Sequence, residues 1–343
     1  MNKVTNVVKQ LKDRSKLKTI RGEAIKQPSW LDLLTEYPEI AKDAEHRIKM
    51  TVSCRDCDYI PKVKGAGAFK VVGGKEYQIM HNGVLAEAGG YFGDWMSEII
   101  TKLQGHHEPQ EEKLFYEILK LLPPGSTMIE LGSFWAYYSI WFNKTIPRAT
   151  NYCCEPDPEN LKLGERNAKV NKTKNMNFIQ SAAGKSDGLI INFELEGENR
   201  KPISVSTKSI DGIMKQYNPR RFDIVHMDVQ GAELSALEGA EVSIRSGKVR
   251  FVLISTHHYL ISGDVLMHEK CLALIKKWGG HVITEHAIHE SYSGDGLILA
   301  SFFKEDRDLE LTVSNNRMQD SLFRSYIKDM DILIGAYETS RLK

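Results

Sequence analysis

The chain has 343 residues, 41% of them hydrophobic and 27% charged, with a formal net charge of +1. That length can bury a substantial core in one large domain or two modest ones. The near-neutral balance gives no bulk electrostatic field to draw in nucleic acid and argues against a partner chosen by bulk charge.

Five cysteines are too few, and odd in number, for a disulfide framework. With no signal-like apolar segment at the start and no apolar run of about 18 residues, a cytoplasmic protein without a membrane span is expected. Residues 1–48 read as a basic N-terminal arm with Trp30-Leu31-Asp32-Leu33-Leu34 at helical spacing. Residues 49–105 read as a small α+β module. Its short strands are expected at Lys62–Lys64, Phe69–Lys75 and Tyr77–Met80, with Gly73-Gly74 and Asn82-Gly83 as turns. Asp94 is placed to cap a helix carrying Trp95, Ile99, Ile100 and Leu103. Cys54 and Cys57 make a single CxxC. Zinc needs a second pair or suitably spaced histidines, so no metal is expected there.

Gln104 to Glu112 is the least ordinary local sequence. Pro109 presets a helix, and Glu111 and Glu112 suit its positive end. Neither role needs His106 or His107, which remain site candidates. From Ser126 onward strands and helices alternate. Strands are expected at Thr127–Leu131, Thr150–Cys154, Met176–Gln180, Phe222–Met227 and Val249–Ile254, with an excursion at Leu189–Phe193 and Ile203–Val205. Helices are expected from Trp135 to Phe142, Glu159 to Val170, Ser209 to Gln216, Ala232 to Arg245 and Asp264 to Trp278. A last pair, Val282–Thr284 and Leu297–Phe302, closes the sheet around a Ser291–Gly296 loop. The pattern predicts an α/β, Rossmann-like doubly wound sheet over 106–304. A helical tail, 305–343, carries an apolar stripe (Leu322, Tyr326, Met330, Leu333, Ile334) suited to docking on the body or to a homo-oligomer contact.

The turn Glu130-Leu131-Gly132-Ser133-Phe134-Trp135-Ala136 has the place of a nucleotide fingerprint, and Glu155 follows Gly132 by 23 residues. That is close to the separation of roughly 20 expected for an acid on ribose hydroxyls. A dinucleotide needs two further glycines against its pyrophosphate, and Phe134 and Ala136 stand there instead. NAD is disfavoured, and the absence of a Walker pattern argues against ATP. S-adenosylmethionine suits what remains, with a ribose for Glu155, an ammonium for Glu130 and no pyrophosphate. The turn accepts Ala136 provided its φ is negative.

Three blocks, Ile129–Ser139, Glu155–Asn160 (with Asn167 and Asn171), and Met227–Leu234 with Leu237-Glu238-Gly239, resemble the FkbM family of methyltransferases over about Glu112 to Phe303. The resemblance implies a methyltransferase sheet and an S-adenosylmethionine site drawn from Glu130, Gly132, Ser133, Tyr138, Glu155, Pro156, Ala182 and Asp228. It implies methylation of a hydroxyl on a small molecule, a sugar or a glycan or secondary-metabolite precursor. The chain departs from the family at Glu130 (usually Asp), Ala136 (Gly), His226 (Lys) and Gln230 (Glu). It departs again at Ser255-Thr256-His257-His258, where an acid is common.

An alcohol acceptor must lose its proton, so a base helps. Asp228, His257, His258, His106 and His107 are the catalytic candidates, with His226 on the same side of its strand as Asp228. Adjacent His257 and His258 point opposite ways along a strand, so at most one faces the cleft, with Asp228 orienting it. A divalent ion on Asp228, Glu233 and one of these histidines is the other route. A nucleic-acid or protein methyltransferase, and a non-catalytic glycan-binding or partner-binding module, are the rival readings. The front part, 1–105, lies outside the motif blocks and is a candidate for acceptor specificity.

Overall fold

A computed structural model describes residues 44–195 and 200–316. The expected arm (to residue 43), its Trp30–Leu34 stretch and the Leu322–Ile334 stripe lie outside the described residues. The first described element, helix α1 (Ala44–Ser53), spans the boundary expected at 48/49.

The front module is a three-stranded antiparallel meander, β1 (Phe69–Val72), β2 (Lys75–Ile79) and β3 (Leu85–Glu87), followed by α2 (Asp94–Lys102). Gly73, Gly74 and Gly83 hold positive φ at its turns, the conformation that glycine tolerates. Lys62–Lys64 forms no strand. Gly93, not Asp94, is the N-cap of α2.

Helix α3 (Pro109–Leu119) leads into the main sheet. Its strands are β4 (Thr127–Leu131), β5 (Thr150–Glu155), β6 (Met176–Gln180), β10 (Phe222–Met227), β11 (Val249–Thr256), β12 (His281–His286) and β13 (Gly296–Ser301). They stand in the order β12-β13-β11-β10-β4-β5-β6. Only β13 runs antiparallel to its neighbours β11 and β12. Every residue of β4 and β10 is buried, as the central strands of a sheet covered on both faces must be. The excursion forms a separate small sheet from β7 (Ala182–Ala183), β8 (Ile190–Phe193) and β9 (Ile203–Lys208).

Strand alternation divides the core into two layers. Ile129, Leu131, Val225, Met227, Val252 and Ile254 pack on one face with helices α6 (Ile210–Tyr217), α7 (Glu233–Glu238), α8 (Glu241–Arg245) and α10 (Met267–Lys277). Met128, Ile224, Phe251 and Leu253 pack on the other with α3 and α4 (Tyr137–Thr145). Met80, Val84, Ile99 and Ile100 of the front module belong to this second cluster. Module and sheet therefore share one core.

Three expected helices begin later or break. Phe134 and Ala136 are left-handed, φ 40° and 58°, so α4 starts at Tyr137. The stretch Ala232–Arg245 becomes α7 and α8, because the Asp211 carboxylate accepts the Val242 and Ser243 amides at 2.9 and 2.7 Å and caps a new start. Asp264 accepts the Leu266 amide at 3.0 Å ahead of α10, behind the short turn α9 (Tyr259–Ser262). Among the described residues no helix is long and apolar enough to cross a membrane.

Candidate active site

The carboxyl ends of β4, β5, β10 and β11 converge, the place where open α/β sheets bind ligands. Gly132 turns the chain off β4 with φ 77°, and a Cβ there would lie 1.7 Å from the Asp228 carbonyl oxygen. Only a bare backbone lets the first turn approach the end of β10 so closely. The Gly132 and Ser133 amides both donate to the Cys154 carbonyl, at 2.9 and 3.0 Å. Ser133 Oγ is buried without a hydrogen-bond partner. Glu155, at the tip of β5, accepts the Phe134 amide at 3.0 Å and the Asp157 amide at 2.9 Å, which ties the two strand tips together. Pro156 follows it, and Ala182 pairs with Thr207 of β9.

Glu130 lies below the turn rather than in it. It is buried, accepts the Ser139 amide of α4 at 3.1 Å and stands 4.0 Å from His226 Nδ1. Burial pushes its carboxyl up to about 7, against the pull of His226. His226, its register partner on β10, meets Glu111 of α3 at 2.5 Å, and Ser255 Oγ donates to Glu111 at 2.6 Å. Tyr138 packs its ring on His226 and donates to Glu108 at 3.3 Å. These groups form a polar seam under the strand tips.

Asp228 follows β10, its amide donating to Leu131. His257 faces it from the end of β11, Nε2 to Oδ1 3.3 Å, and the opposite ring nitrogen meets Glu233 Oε1 at 2.7 Å. Glu233 is fully buried and also takes the Gly231 amide at 3.0 Å. A third carboxylate, Asp295 from the β12–β13 connection, lies 3.7 Å from His257 Nε2. Burial alone would lower the imidazole's pKa. The charges of Asp295 and Glu233, with contacts to Asp228 and Glu233, reverse that and raise it well above its ordinary value. Asp228 is held below its ordinary value, since His257 and Gln230 outweigh burial. Asp295 is pushed up to about 7 by burial, with His257 and Arg47 opposing and the Asp228 and Glu108 charges assisting. Exposure separates the three, with Asp228 and Asp295 side chains 26% and 21% exposed and His257 only 1%.

Several expectations change here. His258 turns away, its Nδ1 accepting the Leu260 amide at 3.3 Å at the start of α9. His106 and His107 face a different centre, both buried around Glu112. Glu233 and Asp228 sit on opposite edges of the His257 ring, so the donors of the alternative divalent-ion route do not converge. Ala136 has the positive φ that the turn was expected to avoid. Asp295, Glu108 and Glu111 were not singled out as site residues. The sequence marks Glu111 only as an acid suited to a helix start, and nothing local tells that it meets His226 and Ser255 or that Asp295 comes beside His257.

The front module supplies the wall beside this centre. Tyr91 stacks on Trp135 with centroids 4.3 Å apart, and Phe92 meets Phe134 at 5.5 Å. From α1, the Arg47 guanidinium lies 4.6 Å over the Trp95 ring.

Residues 123–282 match the family model described as the methyltransferase FkbM domain. The chain carries an FkbM-type methyltransferase domain. It is an S-adenosylmethionine-dependent methyltransferase. No curated protein sequence matches the chain. Among solved structures, the FkbM domain is similar to an S-adenosylmethionine-dependent methyltransferase from Aquifex aeolicus (12% identity, 56% of this chain and 89% of that one, TM-score 0.37). It is similar also to a putative rRNA methylase from Clostridium thermocellum (7%, 56% and 94%, 0.41). A third is an O-methyltransferase from Bacillus cereus in complex with S-adenosylhomocysteine (12%, 56% and 80%, 0.34).

Proposed function

We propose that the protein methylates a hydroxyl group of a small molecule, most simply a sugar or a sugar-bearing precursor. The observation that carries this reading is the pair of partly exposed carboxylates, Asp228 and Asp295, set about His257 beside a wall of aromatic rings. Carboxylates accept hydrogen bonds from hydroxyls, while the C–H faces of a sugar pack on Phe92, Trp95 and Phe134. The same carboxylates, with Glu108, repel a phosphate backbone, which argues against a nucleic-acid acceptor. The aromatic wall gives the front module, 49–105, the role of selecting the acceptor.

The residues at the first turn fit S-adenosylmethionine. Gly132 brings bare backbone to the crevice, Ser133 Oγ has a hydrogen bond to give, and Glu155 stands at the tip of β5 tied to the same turn. When bound, the cofactor supplies an electrophilic methyl group on a sulfonium. Gly132, Ser133, Glu155 and Pro156 hold it, with Ala182 and Tyr138 at the edges, and Glu130 acts indirectly by fixing the start of α4. Asp228 lies between cofactor and acceptor.

On the acceptor side Asp295 takes the proton. Its carboxyl titrates near 7, where a base is both available and strong enough. His257 is an imidazolium pinned by Glu233. It holds Asp228 and Asp295 in place and does not itself accept the proton. Incubation with methyl-labelled S-adenosylmethionine and a panel of sugars, glycosides and phenols tests the reading. Label in an alkali-stable ether is the expected result, and label only in RNA, protein or esters overturns it.

A further inference from the structure

The contact between the front module and the sheet holds a second polar centre, on the far side of α3's first turn. Cys57 Sγ, a ring nitrogen of His106 and a carboxylate oxygen of Glu112 all lie within 4.8 Å of one another. The three residues are 4%, 0% and 0% exposed. Glu112 Oε1 is well occupied, accepting the His107 amide at 2.8 Å and the His107 ring at 2.6 Å. Its Oε2 meets His106 Nδ1 and the Tyr137 hydroxyl. His106 Nε2 has no partner at all. A buried ring nitrogen left bare is costly and asks for an explanation.

We propose that Cys57, His106 and Glu112 form a buried zinc site that ties the module 49–105 to helix α3. Thiolate, imidazole and carboxylate are the three donor types zinc accepts in proteins. One thiolate and one carboxylate among the ligands offset the ion's two positive charges at the centre itself. The thiol gives up the hydrogen it now shares with the Pro109 carbonyl, 3.1 Å away, and that proton leaves to solvent as metal binds. Oε1 keeps His107, which orients the carboxylate from outside the coordination sphere. His81 lies beside the set, its ring stacked on His106 with centroids 4.0 Å apart and Nδ1 3.6 Å from Glu112. Its Nδ1 is taken by the Tyr137 hydroxyl at 3.0 Å, so the three protein donors leave the fourth position of a tetrahedral ion to water. The CxxC thus contributes through one cysteine, with histidine from outside the motif in place of a second pair.

The full chain, stripped with a chelator, is titrated with Zn2+ against a chromophoric competitor, and separately with Co2+. One equivalent of Zn2+ and a thiolate-to-cobalt charge-transfer band are expected. Cys57→Ser and His106→Gln should each weaken zinc by at least about 100-fold and Cys57→Ser should abolish the band, while Cys54→Ser leaves both unchanged. The absence of that band in the unmodified protein overturns the proposal even if the variants fail to fold. Zinc affinity unchanged in folded Cys57→Ser or His106→Gln, or lost in Cys54→Ser, overturns it equally.

Discussion

Gly132→Ala tests how the two central strand tips are held together. Its new methyl carbon would lie 1.7 Å from the Asp228 carbonyl oxygen, where real contacts do not fall below 3.0 Å. The end of β10 must therefore retreat by about 1.3 Å. The positive φ adds roughly 1–2 kcal/mol of strain, and losing the Asp228 to Leu131 hydrogen bond adds about 1 kcal/mol. The variant should be destabilised by about 2–3 kcal/mol in urea unfolding. A displacement of an ångström in a binding constellation is worth about 100-fold, so calorimetric titration should show S-adenosylmethionine bound at least tenfold more weakly. Gly125→Ala is the matched control, because Gly125 has φ 85° with nothing within 4 Å of its would-be Cβ. It carries the strain alone. Equal losses in the two variants, or an unchanged cofactor dissociation constant in Gly132→Ala, would refute the close-approach argument.

The remaining predictions concern the charges around the crevice. Asp295→Asn should cut turnover by about 10²–10⁴-fold, the usual range for a lost general base. In the wild type, turnover should rise with pH through about 7 as Asp295 ionises, and a flat profile there would move the base elsewhere. Since its folded pKa is raised from 3.8, its ionisation destabilises the fold as pH climbs. Asp295→Asn should therefore melt higher than wild type above about pH 7, and a lower melting point would contradict that sign. Glu233→Ala leaves the buried His257 imidazolium without its Nδ1 partner and should cost about 3–5 kcal/mol, read by urea unfolding. His257 is raised above 6.5, so its contribution is complete below that value and fades as pH rises through the higher folded value. The gap between wild type and Glu233→Ala should narrow accordingly, and a gap that widens with pH would count against the pairing. Glu155→Gln should weaken cofactor binding by roughly 1.5–3 kcal/mol, the worth of a charged hydrogen bond, and an unchanged affinity would remove Glu155 from the ribose.

Sequence reading carries far where the chemistry is local. The β4 turn, Glu155 at the tip of β5, and Asp228 after β10 are each legible, because a strand, a turn residue and an acid follow one another within a few positions. So is the succession of strands and helices, since hydrophobic runs and helical periodicity alternate at fixed spacing, whereas the order of the strands within the sheet comes from the fold. Boundaries are less legible. Nothing in Ala232–Arg245 reveals that Asp211, distant in sequence, offers its carboxylate to Val242 and Ser243 and starts a new helix there.

Tertiary structure alone decides which polar groups share a charge. His257 and His258 are adjacent in sequence, yet one lies among three carboxylates and the other caps a short helix. His106 and His107, equally conspicuous, belong to Glu112 and to the contact with Cys57. Asp295 becomes a candidate base only because the β12–β13 connection returns it to the end of β11. A side chain's acidity depends on what lies within a few ångströms and on how much water reaches it, and both are properties of packing. Sequence by itself carried the succession of strands and helices and the family resemblance, whereas which charged groups and which aromatic rings meet at the strand tips was decided by the fold.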